Sequence, residues 1–426
     1  MSNIPQLRFK GFDDEWLEKS YGDIYNFYST NSLSRENLNY ENGEVYNIHY
    51  GDIHTKFSTI FDIEKEEVPY INKDIDLSRI KDENYCQVGD LVIADASEDY
   101  KDIGKTIEIV NLNSKKLLAG LHTFLARPEK CDMAIGFMGY MLQSWKARKQ
   151  IMREAQGTKV LGLSTRRLSR VNLYVPSDKK EQEKIAFFLN NINKKIEQLS
   201  KIDKLLNEYK KGVIQKIFNQ EIKFKKDDGS DFSDWEEKSL GKIGKPFNGL
   251  SGKIKDDFGN GDSYIQYKQI FDNKINISDF GKVQIKDGEK QNIVKYGDIL
   301  FTISSETRNE VGVSSVLLVD IENVYLNSFC FGFRPNSLED LLPQFARYLF
   351  RSEGFRKKVV RLGQGTTRYN LSKNEIMKVT INLPEPLEQS KIAKFLSSID
   401  KKIEENKNIL EHAKEFKKGL LQRMFV

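Results

Sequence analysis

The sequence has few cysteines and no long apolar segment. Its three cysteines, Cys86, Cys131 and Cys330, are odd in number, far apart and in no Cys-x-x-Cys arrangement. This spacing excludes an evident disulfide framework or zinc ribbon and favours a cytoplasmic protein. No run of about eighteen apolar residues occurs, and the N-terminal stretch MSNIPQLRFKGFDDEW lacks the apolar segment of a signal peptide. We therefore expect no association with a membrane.

Motifs of nucleotide-dependent and methyl-transferring enzymes are also missing. The GKT at residues 104–106 ends like a phosphate-binding loop, but Asp99 stands where the first glycine should be. No Asn/Asp-Pro-Pro-aromatic motif of adenine methyltransferases occurs, and no glycine-rich cofactor loop. His49 and His54 have no matching ligand cluster, which favours a polar binding loop or a satisfied structural histidine over a metal site. The sequence indicates no catalytic residues, no bound cofactor and no metal.

The chain is long enough for several domains and only slightly basic. Its 426 residues predict two to four domains, each large enough for its own hydrophobic core. The net charge of +5 permits a polyanionic partner without requiring one. Composition alone leaves the function open.

The most informative feature is an internal repeat. WLEKSYGDI at residues 16–24 returns as WEEKSLGKI at 235–243, and KIAFFLNNINKKIEQ at 184–198 returns as KIAKFLSSIDKKIEE at 391–405. YKKGVIQKIF at residues 209–218 returns as FKKGLLQRMF at 416–425. Such a chain can present two sites about a pseudo-twofold axis, as dimeric DNA-binding proteins do.

Two long helices are predicted by the spacing of apolar residues. In residues 178–218 and 388–426 these residues recur every three or four positions, with charged residues between them. This pattern is typical of a coiled-coil seam. A helix over residues 181–218 would be about 57 Å long, at roughly 1.5 Å per residue. The alternative is that each apolar stripe packs only on its own domain.

The two helices should run in opposite directions. Only a short polar stretch separates Phe218 from the motif at Trp235, so the second globular segment must lie near the far end of the first helix. To pack against the first helix, the second must therefore run back. The sequence predicts a pair of antiparallel helices that sets the distance between two binding domains, one at each end.

The globular segments, residues 1–177 and 219–387, look mixed in secondary structure. Strands are predicted at residues 90–94, 106–110, 299–303 and 315–319, and helical stretches at 134–155 and 342–362. Both halves keep Gly-Asp at residues 89–90 and 297–298, Arg-Pro at 127–128 and 334–335, and Gln-Gly-Thr at 156–158 and 364–366. Between these anchors they diverge. One scaffold with two variable surfaces suggests two binding domains with different targets, in an α+β fold.

Polar and basic residues on predicted loops are the candidates for nucleic-acid contact. Arginine suits guanine edges, whereas lysines and hydroxyls suit phosphates. Each loop alone is more simply a solvated turn, but their occurrence at matching places in both halves favours DNA. The candidates in the first half are Ser34, Arg35, Tyr50, His54, Lys56, Lys159, Thr165, Arg166 and Arg167. Those in the second half are Ser251, Lys253, Lys255, Ser304, Ser305, Thr307, Arg308, Thr366, Thr367, Arg368 and Tyr369.

Taken together, the repeat and the helix starts resemble the specificity subunits of type I restriction–modification enzymes. The resemblance covers the whole chain and rests on the order of domains and helices, the entry motifs at Trp16 and Trp235, and the helix starts EQEKIAFFL and EQSKIAKFL at residues 181–189 and 388–396. It implies two target-recognition domains spaced by two antiparallel helices, each domain reading half of an interrupted double-stranded DNA site.

The resemblance also implies partners that carry the catalysis. These are two methyltransferase subunits that use S-adenosylmethionine, and restriction subunits (endonuclease and translocase) that need ATP and Mg²⁺. The residues predicted to dock these partners are Glu181, Gln182, Ile185, Phe188, Glu388, Gln389, Ile392 and Phe395. Two alternatives remain: a standalone restriction or modification enzyme with an unrecognised catalytic centre, and a non-enzymatic coiled-coil scaffold for proteins. Turnover by the purified chain would support the standalone enzyme. Absence of salt-dependent binding to duplex DNA would support the protein scaffold.

Overall fold

A computed structural model of the chain describes residues 3–426. The chain divides into two compact units: unit 1 comprises the residues up to Lys201 together with Asn408–Val426, and unit 2 comprises Ile202–Lys407. Each unit therefore holds the start of one long helix and the end of the other. No helix within residues 3–426 combines the length and the apolar character needed to cross a membrane.

Unit 1 is built on a five-stranded and a four-stranded sheet. The strand orders are β2-β11-β7-β9-β5 and β10-β4-β6-β3, with two-stranded ladders β1-β13 and β8-β12. The strands are β1 (Leu17–Ser20), β2 (Asn26–Tyr28), β3 (Leu38–Asn39), β4 (Val45–Ile48), β5 (Ile60–Asp62), β6 (Tyr70–Ile71), β7 (Leu91–Ala94), β8 (Ala96–Ser97), β9 (Thr106–Asn111), β10 (Lys116–Ala119), β11 (Thr123–Arg127), β12 (Leu161–Gly162) and β13 (Asn172–Val175). The short helices are α1 (Tyr21–Ile24), α2 (Tyr50–Thr55), α3 (Phe137–Met141), α4 (Trp145–Glu154) and α5 (Thr165–Leu168).

Unit 2 repeats this plan with fewer strands. Its sheets have the orders β15-β22-β18-β20 and β17-β16-β21, with ladders β14-β24 and β19-β23. The strands are β14 (Glu236–Ser239), β15 (Gly244–Asn248), β16 (Phe258–Ile265), β17 (Gly281–Val283), β18 (Ile299–Thr302), β19 (Ser304–Ser305), β20 (Ser314–Val316), β21 (Val324–Leu326), β22 (Cys330–Pro335), β23 (Tyr369–Asn370) and β24 (Thr380–Leu383). The long helix α6 (Lys179–Phe218) precedes them, α7 (Leu240–Ile243), α8 (Tyr267–Phe271), α9 (Pro343–Leu349), α10 (Glu353–Arg361) and α11 (Lys373–Met377) lie among them, and the long helix α12 (Pro386–Arg423) follows.

The repeated Gly-Asp and Arg-Pro anchors form one ion pair with a buried aspartate in each unit. The guanidinium of Arg127 donates to both carboxylate oxygens of Asp90 at 2.9 Å. The guanidinium of Arg334 donates to Asp298 in the same way, at 2.8 and 2.6 Å. A two-point pair of this kind fixes the Arg end of one strand to the start of its neighbour. The anchors repeat because this link is needed once in each sheet.

The repeated tryptophan marks the place where the two long helices meet a unit. In unit 1, the ring centroid of Trp16 lies 6.3 Å from that of Phe425, just after the end of α12, and the indole N–H donates to Glu181 at the start of α6. In unit 2, Trp235 lies 6.1 Å from Phe218, at the end of α6, and donates to Glu388 at the start of α12. Within each unit the start of one long helix thus lies beside the end of the other, as antiparallel helices require. The predicted fold class, two similar mixed units with two long antiparallel helices, is confirmed.

Each of the two predicted helical stretches contains two helices. Residues 134–155 include α3 and α4, and residues 342–362 include α9 and α10. Ser144 and Ser352 cause both breaks, because each adopts an extended backbone and its hydroxyl accepts from the N–H three residues later. A serine in this role begins a new helix.

A buried carboxylate distinguishes the core of unit 1 from that of unit 2. Glu108 on β9 is fully buried and accepts hydrogen bonds from the backbone N–H groups of Gly136 and Gly139. It pairs with Leu91 across the ladder, where unit 2 has Val316 opposite Ile299. Burial raises the pKa of Glu108 to about 7, although the two N–H groups oppose the shift.

This raised pKa makes the stability of unit 1 depend on pH. The folded state holds the proton more tightly than the unfolded state, so the contribution of Glu108 is fully present below its ordinary pKa and is lost as pH rises through about 7. We expect the free energy of unfolding of wild type, relative to Glu108→Gln, to fall by up to roughly 3 kcal/mol between pH 5 and pH 8. Urea unfolding of both proteins at several pH values measures this difference. If the difference in free energy of unfolding between the two proteins stays constant with pH, the pKa of Glu108 is not raised.

Candidate nucleic-acid interface

Short strand ladders bring distant candidate loops together in unit 2. Ser304 pairs with Asn370, and Ser305 pairs with Tyr369, so that β19 and β23 form a ladder. The loop 304–312 therefore lies against the turn 364–370, although residues 313–363 lie between them in the chain. In unit 1 the equivalent ladder joins β8 to β12, through Ser97 opposite Leu161. Both units thus present one loop and one turn side by side.

The turn beside each ladder depends on a glycine. Gly157 and Gly365 have φ values of +128° and +127°, and a Cβ at either would lie 2.0–2.1 Å from the carbonyl oxygen of Val160 or Arg368. Only glycine fits this geometry. The residues at the tips are exposed: Thr158, Lys159 and Val160 in unit 1, and Thr366, Thr367 and Arg368 in unit 2. The same turn therefore displays different side chains in the two units.

Burial removes some of the predicted contacts of unit 2. Ser304 and Ser305 are buried, and the ammonium of Lys253 is held by Glu289 at 2.5 Å with only 3% of its side chain exposed. The prediction that these three side chains contact DNA is therefore corrected. Thr307 is exposed, but its hydroxyl donates to Glu310. The remaining candidates of unit 2 are exposed or half-exposed: Ser251, Lys255, Arg308, Thr366, Thr367, Arg368 and Tyr369.

In unit 1 several candidates gather around α2. Arg35 donates to both carboxylate oxygens of Asp52 at 2.7 Å, and Lys56 lies 3.7 Å from the same carboxylate. Asp52 is buried, so it offsets part of the positive charge of both. Ser34 begins the single helical turn that carries Arg35. These side chains form one polar surface beside Tyr50, at the start of α2.

Helix α2 also connects this surface to the ladder. The Nε2 atom of His54 lies 3.0 Å from the carbonyl oxygen of Ala96 on β8. In unit 2 the hydroxyl of Tyr267, on α8, donates to the corresponding carbonyl oxygen of Ser304 at 2.7 Å. Each unit therefore ties a short helix of its second sheet to the same backbone position.

The remaining candidates of unit 1 lie on α5, which Ser164 caps. Arg166 is exposed, whereas Arg167 lies 3.7 Å from Glu154. Thr165 is half-exposed at the first helical position. Of these three, Arg166 alone presents an unpaired charge.

Sequence reasoning missed His122 of unit 1 and gave His49 no specific role. His49 caps α2 by accepting from the N–H of Gly51 at 3.1 Å, and burial, with the positive charge of Arg35, lowers its pKa. His122 is exposed and lies 3.2 Å from Asp95. The rings of His49, His54 and His122 all lie within 6.0 Å of the Tyr50 ring, measured between centroids. No group of His, Cys, Asp and Glu side chains in the described part of the chain is arranged to hold a metal ion.

The residues predicted to dock partner subunits are mostly buried. Gln182 accepts from the N–H of Ala134 and donates to the carbonyl of Pro176, and Gln389 makes the same pair of bonds with Leu342 and Pro384. The other six predicted docking residues are also covered to different extents. Buried are Glu181, Ile185, Glu388 and Ile392, and half-buried are Phe188 and Phe395. These side chains hold the helix starts in place. Most of the residues predicted to dock partners are therefore not displayed at the surface.

The chain is similar to proteins of one family along most of its length. The model of the "Type I restriction modification DNA specificity domain" matches residues 14–208 and again residues 232–415. The type I restriction enzyme MjaVIII specificity subunit of Methanocaldococcus jannaschii is 25% identical over 308 residues, which is 66% of this chain and 68% of that protein. The putative MjaX specificity subunit of the same organism is 25% identical over 345 residues, or 78% and 77% of the two chains.

Solved structures have the same fold. The S subunit of a type I restriction–modification system from M. genitalium has a TM-score of 0.55 and 14% identity, and the match covers 99% of both chains. A chain solved in work on the assembly and conformational transition of the type I R-M system has a TM-score of 0.57 and 14% identity, covering 97% of this chain and 98% of that one.

Proposed function

Because the chain belongs to the family of type I restriction–modification DNA specificity proteins, we propose that it reads an interrupted DNA site, with unit 1 and unit 2 each recognising one half. The observation that carries this proposal is the pair of ladders, β8-β12 and β19-β23. Each displays an exposed turn beside a variable loop on a repeated scaffold. A repeated frame with different exposed side chains is what reading two different half-sites requires. The major groove offers a distinct pattern of donors and acceptors for each base pair.

The catalytic steps belong, in this proposal, to partner subunits. Methyltransferase subunits supply S-adenosylmethionine-dependent modification, and restriction subunits supply ATP- and Mg²⁺-dependent cleavage. Exposed side chains at the two helix starts offer surfaces for docking. In α6 these are Glu183, Lys184 and Phe187, and in α12 they are Leu387 and Lys394. Phe187 and Leu387 are exposed large apolar side chains, of the kind that interfaces cover.

Arg368 provides the sharpest test of DNA reading by unit 2. Its guanidinium is exposed at the turn tip and lies 6.0 Å from the ring of Phe329. If Arg368 reads a guanine edge, Arg368→Ala should weaken binding to the cognate half-site by roughly 1–3 kcal/mol and relax specificity at one base pair. The measurement is a titration of the full chain, assembled with its methyltransferase partners, against duplexes with single base-pair changes.

Arg361→Ala is the matched control, because it removes the same charge from the end of α10, outside the turn. We expect the control to retain its specificity. If Arg368→Ala weakens binding equally for all DNA sequences and about one counterion fewer is released on binding, Arg368 contacts a phosphate instead. Unchanged binding by the variant, or a wild-type chain without sequence preference, would contradict the proposed function of this surface.

A further inference from the structure

His122 and Phe329 occupy the same position in the two units. The N–H of Asp95 donates to the carbonyl of His122 at 3.1 Å, and the N–H of Ile303 donates to the carbonyl of Phe329 at 2.9 Å. Both residues lie at the turn that leads into the next strand of the main sheet, β11 in unit 1 and β22 in unit 2. The sequence agrees, since His122 lies five residues before Arg127 and Phe329 lies five residues before Arg334, in the two repeated Arg-Pro anchors.

This position is also central to each candidate surface. Asp95 accepts from the N–H of Leu163, just after β12, and Ile303 accepts from that of Leu371, just after β23. The turn that carries the ring is therefore linked, through one residue, to the segment that follows the glycine turn. In unit 1 the ring of His122 lies 5.3 Å from that of Tyr50 on α2.

Both rings are exposed although nothing in their own unit requires it. Phe329 is 57% exposed, and the side chain of His122 is 51% exposed. An exposed phenyl ring contributes little to the stability of its own domain. Aromatic and arginine side chains that lie together at a surface are typical of binding sites. The neighbour of Phe329 is the guanidinium of Arg368, 6.0 Å away.

The hydrogen bond to Asp95 determines which ring nitrogen of His122 is free to bind a ligand. Its Nδ1 atom lies 3.2 Å from the carboxylate of Asp95, which can only accept a hydrogen bond when ionised. Nδ1 therefore carries the proton of the neutral ring, and Nε2 is left as an acceptor. Within residues 3–426, Nε2 has no hydrogen-bond partner. An acceptor suits the amino groups of adenine and cytosine in the major groove, whereas a phenyl ring suits the methyl group of thymine.

We infer that this shared position is a base-reading position in each unit: Nε2 of His122 accepts from the amino group of an adenine or cytosine, and the ring of Phe329 packs on the methyl group of a thymine. The inference deepens the proposed function and rests on it. It names two specificity-determining residues and the base chemistry that each selects.

Base analogues test the two contacts separately. Replacing the thymine that Phe329 reads by deoxyuridine removes only the methyl group, so wild-type binding should fall about five- to tenfold at one position of the site. The Phe329→Ala variant should bind both duplexes equally. For His122, a purine lacking the amino group of adenine, or a pyrimidine lacking that of cytosine, should weaken binding by wild type but not by His122→Ala.

Trp145→Ala is the control, because Trp145 is an equally exposed aromatic residue of unit 1 on α4, away from the turn. It should keep the wild-type response to every analogue. If wild type prefers its site but both variants respond to the analogues as wild type does, the base-reading inference is overturned and the proposed function stands. If wild type shows no site preference, the proposed function itself fails.

Discussion

Replacing residues 1–177 by the corresponding segment of a relative with another target should change one half of the DNA site completely and leave the other half unchanged. All exposed candidate residues of unit 1 lie inside this segment, including the turn at Lys159 and the surface around α2. The effect should be large, because specific sites are typically bound 10³ to 10⁷ times more tightly than other DNA. Mapping of methylated sites in cells that carry the partner subunits gives the readout.

The reciprocal exchange of residues 219–387 is the control, and it should change the other half only. The donor segments need the tryptophan of the entry motif, since Trp16 packs on Phe425 and Trp235 on Phe218. Loss of all methylation would then point to misfolding, which circular dichroism detects. A folded exchange variant in which both halves change, or neither, would contradict reading by separate units.

Lengthening the two long helices should lengthen the unspecified gap between the half-sites. Asn193 of α6 and Lys417 of α12 share a hydrogen bond, so positions near Gln198 and Glu411 lie at a similar level of the helix pair. Inserting four helix-forming residues after each adds about 6 Å and a rotation of roughly 40° beyond a full turn. DNA advances about 3.4 Å per base pair, so the gap should grow by one to two base pairs. Methylation of the original site should be lost.

Alanine at the exposed positions Lys195, Glu197, Gln198 and Ser200 serves as the control for this insertion. It changes the same part of the helix without lengthening it, and the original gap should persist. An active insertion variant with an unaltered gap would show that the helices connect the units without setting a distance.

Repeated sequence anchors predicted much of the fold because they mark contacts that each unit makes. The apolar pattern over residues 178–218 predicted α6 to within one residue of its start, and the Asp90–Arg127 pair explains why two dipeptides recur. The same logic misled the assignment of the helix starts. Gln182 and Gln389 repeat because each closes a buried hydrogen-bond pair, not because they face a partner.

The recognition surfaces were predicted less completely, because they depend on contacts between distant segments. Nothing near Lys253 in the sequence shows that Glu289 will neutralise it. Likewise, the role of His122 depends on Asp95, 27 residues earlier in the chain, and on a left-handed backbone with φ of +55°. Residue types indicate which chemistry is available, whereas the paired strands decide which side chains reach the surface.

The reading of an interrupted site is best tested by a map of methylated adenines at single-base resolution, with and without this chain, in cells that carry the methyltransferase subunits proposed as its partners. We expect methylation that depends on the chain and falls within two short blocks of fixed bases, separated by a gap of constant length and any sequence. A single uninterrupted block of fixed bases, or methylation that does not change when the chain is removed, would contradict it.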